Sequence, residues 1–451
     1  MNTSSQLKEW DLKHVWHPYC QMKAYSTNQP IIMDCGNGCT IKDLDGNQYI
    51  DTIAGLWNVN LGYGNKELIE VVTQQIAKLP YVNLCNFTHA PAIELAKKLV
   101  EILPQKLSRI FYCNSGAEGN ETAIKMARQY HRQNGNPLKI KVLSFSTGYH
   151  GTTFGALSAT GNRRDRLKFE PLLSGFIHLP APQIPESPWD KYEMHCRDCM
   201  EHLERVIENE RAETIAAILI EPILGCGGVQ KLTKSYVRQL REICDQHHIT
   251  LIFDEVVTAF GRTGHMFVSE YYDIVPDILV MSKGITSGYL PLGAVAAQDK
   301  IFQAFWSDDR DAAFLHGFTS SGNPVCCAVA LRTIEIIQKE RLCQRTVEIG
   351  DYFLRAISEK CSRYESIRDI RGIGLMIGIE FCDVSNNASK PPPEFVPSIV
   401  KNLMRDGIIM RTLGSRNNVI VLMPPLIITR EDVNQIVEKF QKVVLKVQSQ
   451  F

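Results

Sequence analysis

Two residues stand just beyond short apolar runs and could do chemistry together. Asp254 follows TLIF (250–253), and Lys283 follows ILVM (278–281) by one serine. Each alone has an ordinary reading: a helix cap for the acid, a solvated amine for the lysine. They lie 29 positions apart (283 minus 254), one strand–helix–strand step, so the two runs are expected to be neighbours. A third feature, Asn114-Ser115-Gly116-Ala117-Glu118, follows RIFYC and opens a helical pattern. A Ser-Gly turn there offers backbone N–H groups and a hydroxyl to a phosphate, although the same pattern often serves only as an N-cap. A fourth, Thr147-Gly148-Tyr149-His150-Gly151, follows IKVLSF and puts an aromatic ring in a tight turn. Lysine, carboxylate and phosphate turn at one mouth are what pyridoxal 5'-phosphate needs. The lysine forms a Schiff base with the aldehyde, and the acid keeps the pyridine nitrogen protonated so that the ring withdraws electrons. The helix N-terminus takes the phosphate, and Tyr149 is placed to stack on the ring. An ordinary lysine, pKa about 10.4, is protonated at neutral pH. Desolvation or a nearby cation must therefore lower it.

These residues need a frame. The runs at 109–113, 140–145, 215–220, 250–253 and 278–281 are short and rich in Ile, Val and Leu. Continuous apolar runs suit strands buried on both faces of a parallel sheet. Amphipathic segments at 117–134 and 236–247 lie between them, which predicts an α/β doubly wound sheet. Ligands in such sheets sit at the carboxyl ends of strands, where the polar residues above fall. Asp45-Gly46 predicts a hairpin within 31–51. The C-terminal part, from 369, mixes short strands with helices such as 432–448, and 385–393 (SNNASKPPP) reads as a loop. The expected organisation is a large domain over 66–330 and a smaller α+β domain made from 1–65 and 331–451.

Composition narrows the classes. The 451 residues carry 49 Lys plus Arg against 49 Asp plus Glu, so no basic excess points to nucleic acid or a membrane surface. No apolar run is long enough for a membrane span, and the N-terminus lacks the apolar core of a secretory signal. The 14 cysteines are about 3% of the chain, too dilute for a disulfide scaffold, and fit a reducing, cytoplasmic setting. His195-Cys196-Arg197-Asp198-Cys199 holds a CxxC, but no second pair completes a zinc site. Those cysteines are expected to be structural, and no metal site is expected.

The chain also resembles the class III aminotransferases, a branch of the fold-type I pyridoxal phosphate enzymes. AGLWNVNLGYG, NSGAEGNETAIKMAR, GYHGTTFGALS, IEPILGCGGV, IFDEVVTAFGRTG, MSKGITSGYLPLGAV, HGFTSSGNPV and MPPLIIT carry the likeness over nearly the whole length. The resemblance implies a large domain with a mostly parallel central sheet flanked by helices, plus the smaller α+β domain. It implies that Lys283 is the Schiff-base lysine and proton carrier, and that Asp254 binds the pyridine nitrogen. Val256 packs on the ring, Tyr149 stacks on it, and Ser115, Gly116 and Ala117 hold the phosphate. Thr319, in HGFT, reaches the phosphate from the partner subunit of a homodimer. The implied partners are an amine donor and a keto-acid acceptor.

Substrate choice divides the family. Ornithine and γ-aminobutyrate types carry an arginine just before the PP of the C-terminal motif. Here Val421 holds that position, which argues against them. Arg411 resembles the carboxylate-binding arginine of ω-amino-acid:pyruvate transaminases, a task suited to its bidentate fork; the plain alternative is a surface ion pair. Trp57 resembles their substrate-facing aromatic. Tyr19, in WHPY, resembles a tyrosine of the diaminopelargonate aminotransferases of biotin synthesis. Both aromatics could equally be core. Those biotin enzymes usually carry Asp after the YHG turn, where this chain has Thr152. Glu221 is expected to be a wall of the site in either type. The balance favours a broad ω-aminotransferase, with the biotin-pathway enzyme as the alternative.

Overall fold

The computed structural model describes residues 3–182, 189–383, 391–414 and 417–451, with the backbone alone for 189–194. The loop expected at 385–393 lies outside the described residues up to 390.

The central sheet has seven strands: β1 Leu107–Cys113, β2 Lys141–Phe145, β3 Phe176–Leu179, β4 Ile215–Ile220, β5 Thr250–Asp254, β6 Ile278–Met281 and β7 Gly293–Gln298. Their order is β1-β7-β6-β5-β4-β2-β3. Only β7 runs antiparallel to its neighbours; the other pairings are parallel. The five expected runs are all strands of this sheet. Every residue of β4, β5 and β6 is buried. Alternate side chains feed two cores, as strand geometry requires. Ala217, Leu219 and Ile252 join one cluster with Ala123, Ile124 and Ala127 of the helix Gly116–Gln133. Ile218, Ile220, Leu251 and Phe253 join the other with Tyr236, Val237 and Leu240 of the helix Lys234–Gln246. Cys196 and Cys199, on the helix Trp189–Glu210, are buried in that second core. Cys199 Sγ lies 3.8 Å from His195 Nε2.

The chain ends build smaller sheets. Thr40–Asp43 and Gln48–Asp51 form the hairpin expected around Asp45-Gly46. The short strand Ile408–Ile409 pairs parallel to Gln48–Asp51, so the two ends of the chain meet. Ile367–Ile373, Met376–Phe381, Val419–Leu422 and Arg411–Leu413 form a four-stranded antiparallel sheet. Arg262 fastens these parts together. It is fully buried. Its guanidinium donates to the carbonyls of Leu375 and Pro424 and, at 2.9 Å, to Asn60 Oδ1. Burial pushes its pKa down to about 9, against the opposing pull of the Asp51 charge. Asn60 in turn donates to the Phe260 carbonyl at 2.9 Å. Among the described residues no helix is long and apolar enough to cross a membrane.

Candidate active site

Asp254 ends β5 and Lys283 begins two residues after β6. The strands are parallel neighbours, with Asp254 opposite Val280, so both side chains emerge at the same carboxyl edge. A cavity of about 850 Å³ opens there. Lys283, Asp254, Ser115, Gly116, Ala117, Tyr149 and Val256 all line it, and so do Glu221, Arg411, Trp57 and Tyr19. Thr319 does not. It is exposed on its own chain, with its carbonyl accepting from Tyr81 Oη at 2.7 Å.

Asp254 is held at three points. Oδ2 accepts from Asn120 Nδ2 at 2.8 Å and from His150 Nδ1 at 2.9 Å. Oδ1 accepts from the Val256 amide at 3.1 Å. Both holders are buried, and Asn120 Nδ2 also donates to the His150 carbonyl at 2.8 Å. Sequence reasoning assigned neither. Asn120 lies one helical turn beyond Gly116, and His150 follows Tyr149, so spacing from residues already chosen was the available signal.

Lys283 has φ +47° and starts a short 3₁₀ turn, Lys283–Thr286. Its Nζ lies 4.9 Å from the centre of the Trp57 ring. Burial lowers its pKa below the ordinary lysine range, and Arg411 adds to this. Cys226, Asp254 and Glu221 pull it back. Arg411 Cζ lies 5.9 Å from the other cation's platform, the same Trp57 ring. Among the described residues Arg411 makes no ion pair, so the plain alternative of a surface salt bridge is not what the structure shows. Its strand partner is Val421, which is fully buried. Arg411 thus enters the cavity wall from the strand beside the position that lacks an arginine. Trp57 is both core and wall, 4% exposed yet lining the cavity.

Glu221 ties two loops of the wall together. Oε1 accepts from the Tyr149 amide at 2.9 Å and Oε2 from the Gly225 amide at 3.0 Å. Burial, with Asp254 nearby, outweighs these bonds and raises its pKa to about 7. An unfolded glutamate titrates near 4.3. Between those values the folded chain holds one more proton than the unfolded chain. This contribution to stability is present at low pH and is lost as pH rises towards 7, on the order of 3 kcal/mol in full. Glu221→Gln should therefore flatten the pH dependence of stability. Urea unfolding at pH 5 and pH 8 checks this; an unchanged difference between the two pH values would count against it.

The residues present fit pyridoxal 5'-phosphate. Ser115 caps the 18-residue helix Gly116–Gln133, its Oγ accepting from the Glu118 amide at 3.2 Å. The amides of Gly116 and Ala117 belong to the first turn, which has no intrahelical acceptors, and suit an anion. A Cβ at Gly116 would come within 2.8 Å of Val256, and one at Gly151 (φ +129°) within 2.5 Å of Ala117 Cβ. Only glycine keeps this cradle open. Among the described residues, two buried atoms near Asp254, His150 Nε2 and Asn120 Oδ1, have no hydrogen-bond partner, in a wall already rich in directed polar groups. Asp254 supplies the carboxylate for a pyridine nitrogen, and Lys283 supplies the amine.

Likeness to known proteins covers most of the chain. The aminotransferase class-III family model matches residues 21–444. An uncharacterized aminotransferase of Bacillus subtilis is 40% identical, with 97% of each chain covered. The adenosylmethionine-8-amino-7-oxononanoate aminotransferase of Geobacter sulfurreducens is 35% identical over 97% of this chain and 96% of its own. The structure of an (S)-enantioselective ω-transaminase from Thermomicrobium roseum superposes with a TM-score of 0.94 at 38% identity, covering 99% of both chains. Its neighbours in structure are fold-type I transaminases, and the mostly parallel sheet agrees with that fold. Cavity and likeness agree: the chain belongs to the class III aminotransferases, enzymes that work with pyridoxal 5'-phosphate.

Proposed function

We propose that the enzyme moves an amino group from an ω-amino acid or primary amine to a keto acid such as pyruvate, in two alternating half-reactions. The observation that carries this reading is Arg411, without an ion pair, beside Trp57 and within electrostatic reach of Lys283. A guanidinium so placed can bind a substrate carboxylate bidentately. When bound, pyridoxal 5'-phosphate supplies an aldehyde that condenses with a primary amine and a ring that delocalises the electrons left by a departing proton. Ser115, Gly116 and Ala117 would hold its phosphate, Asp254 its ring nitrogen, and Tyr149 and Val256 its faces. Lys283 Nζ would hold and move the proton taken from the donor carbon. Burial lowers its pKa, which favours the neutral amine that a base must be. Asn120 and His150 fix the Asp254 carboxylate. Trp57 forms the cavity wall beside Lys283.

Replacing Arg411 with alanine should raise KM for β-alanine by about 10–100-fold, with a much smaller change for an amine lacking a carboxylate. Equal changes for both donors would remove Arg411 from the carboxylate site. Thr319, exposed and outside its own cavity, supports a homodimer in which it serves the partner's site. All 14 cysteines are free thiols, which supports a cytoplasmic setting. A second reading, the adenosylmethionine- or lysine-dependent aminotransferase of biotin synthesis, draws on one contact. Tyr19 Oη lies 3.2 Å from Tyr149 Oη at the cavity mouth.

A further inference from the structure

The cavity wall carries a charge that the transfer steps leave unused. Asn162, Arg164 and Asp165 line the cavity together with Tyr149 and Cys226. Asp165 is partly buried, and its Oδ2 accepts from Asn162 Nδ2 at 3.0 Å. Among the described residues it forms no close ion pair. Its charge is felt at the Tyr149 hydroxyl and at the Cys226 thiol, and the same thiol feels Lys283 and Arg411. Asp165 and Lys283 thus line one cavity. Burial raises the Asp165 pKa, and the charge of exposed Arg164 with the Asn162 bond pulls it part of the way back, but Arg164 makes no close ion pair with it among the described residues. A carboxylate partly removed from water, with one amide bond, leaves acceptor capacity that a cation can fill.

We propose that Asp165 receives a second cationic group of the amine donor, so that donors with an ammonium remote from the reacting amine are preferred over monoamines of equal length. This rests on the aminotransferase reading of the cavity. A remote alkylammonium stays protonated at neutral pH, so a diamine presents one reacting end and one charged end. The cavity then has separate receivers for its two visitors, Asp165 for a cationic donor and Arg411 for an anionic acceptor. That division suits two half-reactions that share one pocket.

The test compares kcat/KM for cadaverine with that for pentylamine, and for putrescine with butylamine, each with pyruvate. The holoenzyme and its Asp165→Asn variant are measured side by side. Asparagine keeps the size of the side chain and removes the charge. The wild type should favour the diamine, and the variant should lose about tenfold of that preference, with added salt eroding it only in the wild type. A wild type without preference, or a ratio unchanged in the variant, overturns the proposal. β-Alanine is run as a control in the wild type. If it transfers its amino group while mono- and diamines are treated alike, the failure belongs to Asp165 alone. If no amine reacts, the reading on which the proposal rests falls with it.

Discussion

Lys283→Ala is expected to abolish amino transfer, lowering kcat by about 10⁴-fold or more, since both the covalent amine and the proton carrier are lost. The fold should survive. Lys283 occupies a left-handed backbone conformation, φ +47°, but alanine bears the same Cβ and adds no backbone strain. The side chain is also not a structural tie: its nearest ring partner is Trp57, 4.9 Å away. Removing the ammonium relieves a desolvated charge. Steady-state kinetics with β-alanine and pyruvate, alongside a thermal unfolding curve, check both halves. Ordinary turnover in this variant would remove Lys283 from the chemistry.

Asp254→Asn should cost about 10²–10³-fold in kcat, the scale of losing one preorganised electrostatic partner. The shape is kept, but the charge that would face the ring nitrogen is gone. The amide also presents N–H either at Oδ1, where the carboxylate accepted from Val256, or at Oδ2, where it accepted from both Asn120 and His150, so at least one of those bonds is lost. Cofactor absorbance should remain, because the helix N-terminus and Lys283 are untouched. A fall of less than tenfold, with cofactor bound, would mean that the carboxylate does not act on the ring.

Much of this was legible before any coordinates, for reasons that differ by residue. Asp254 and Lys283 could be paired because buried parallel strands leave continuous apolar runs, and the polar residue after each run marks the ligand edge. β7 has no such mark: GAVAAQ is small-sided and antiparallel, and its alanines could as well be helical. β3 is a four-residue edge strand with only Leu179 fully buried. Asn120 and His150 stand at readable spacings from Gly116 and Tyr149, but that they converge on Asp254 depends on how separate elements pack, which spacing within one element does not encode. Asp165 sits on the four-residue helix Arg163–Arg166 and Cys226 in a turn, where chain path is set by tertiary packing. Thr319 carries no signal of position in one chain, since its expected role depends on a second.

The most direct measurement is the visible absorption of the purified holoenzyme during two additions. β-Alanine should bleach the band of the lysine-bound cofactor as the amino group passes to it. Pyruvate should then restore the band as the group passes on. A band that β-alanine and simple primary amines leave unmoved would contradict the ω-amine reading, and adenosylmethionine or lysine would be the donors to add next.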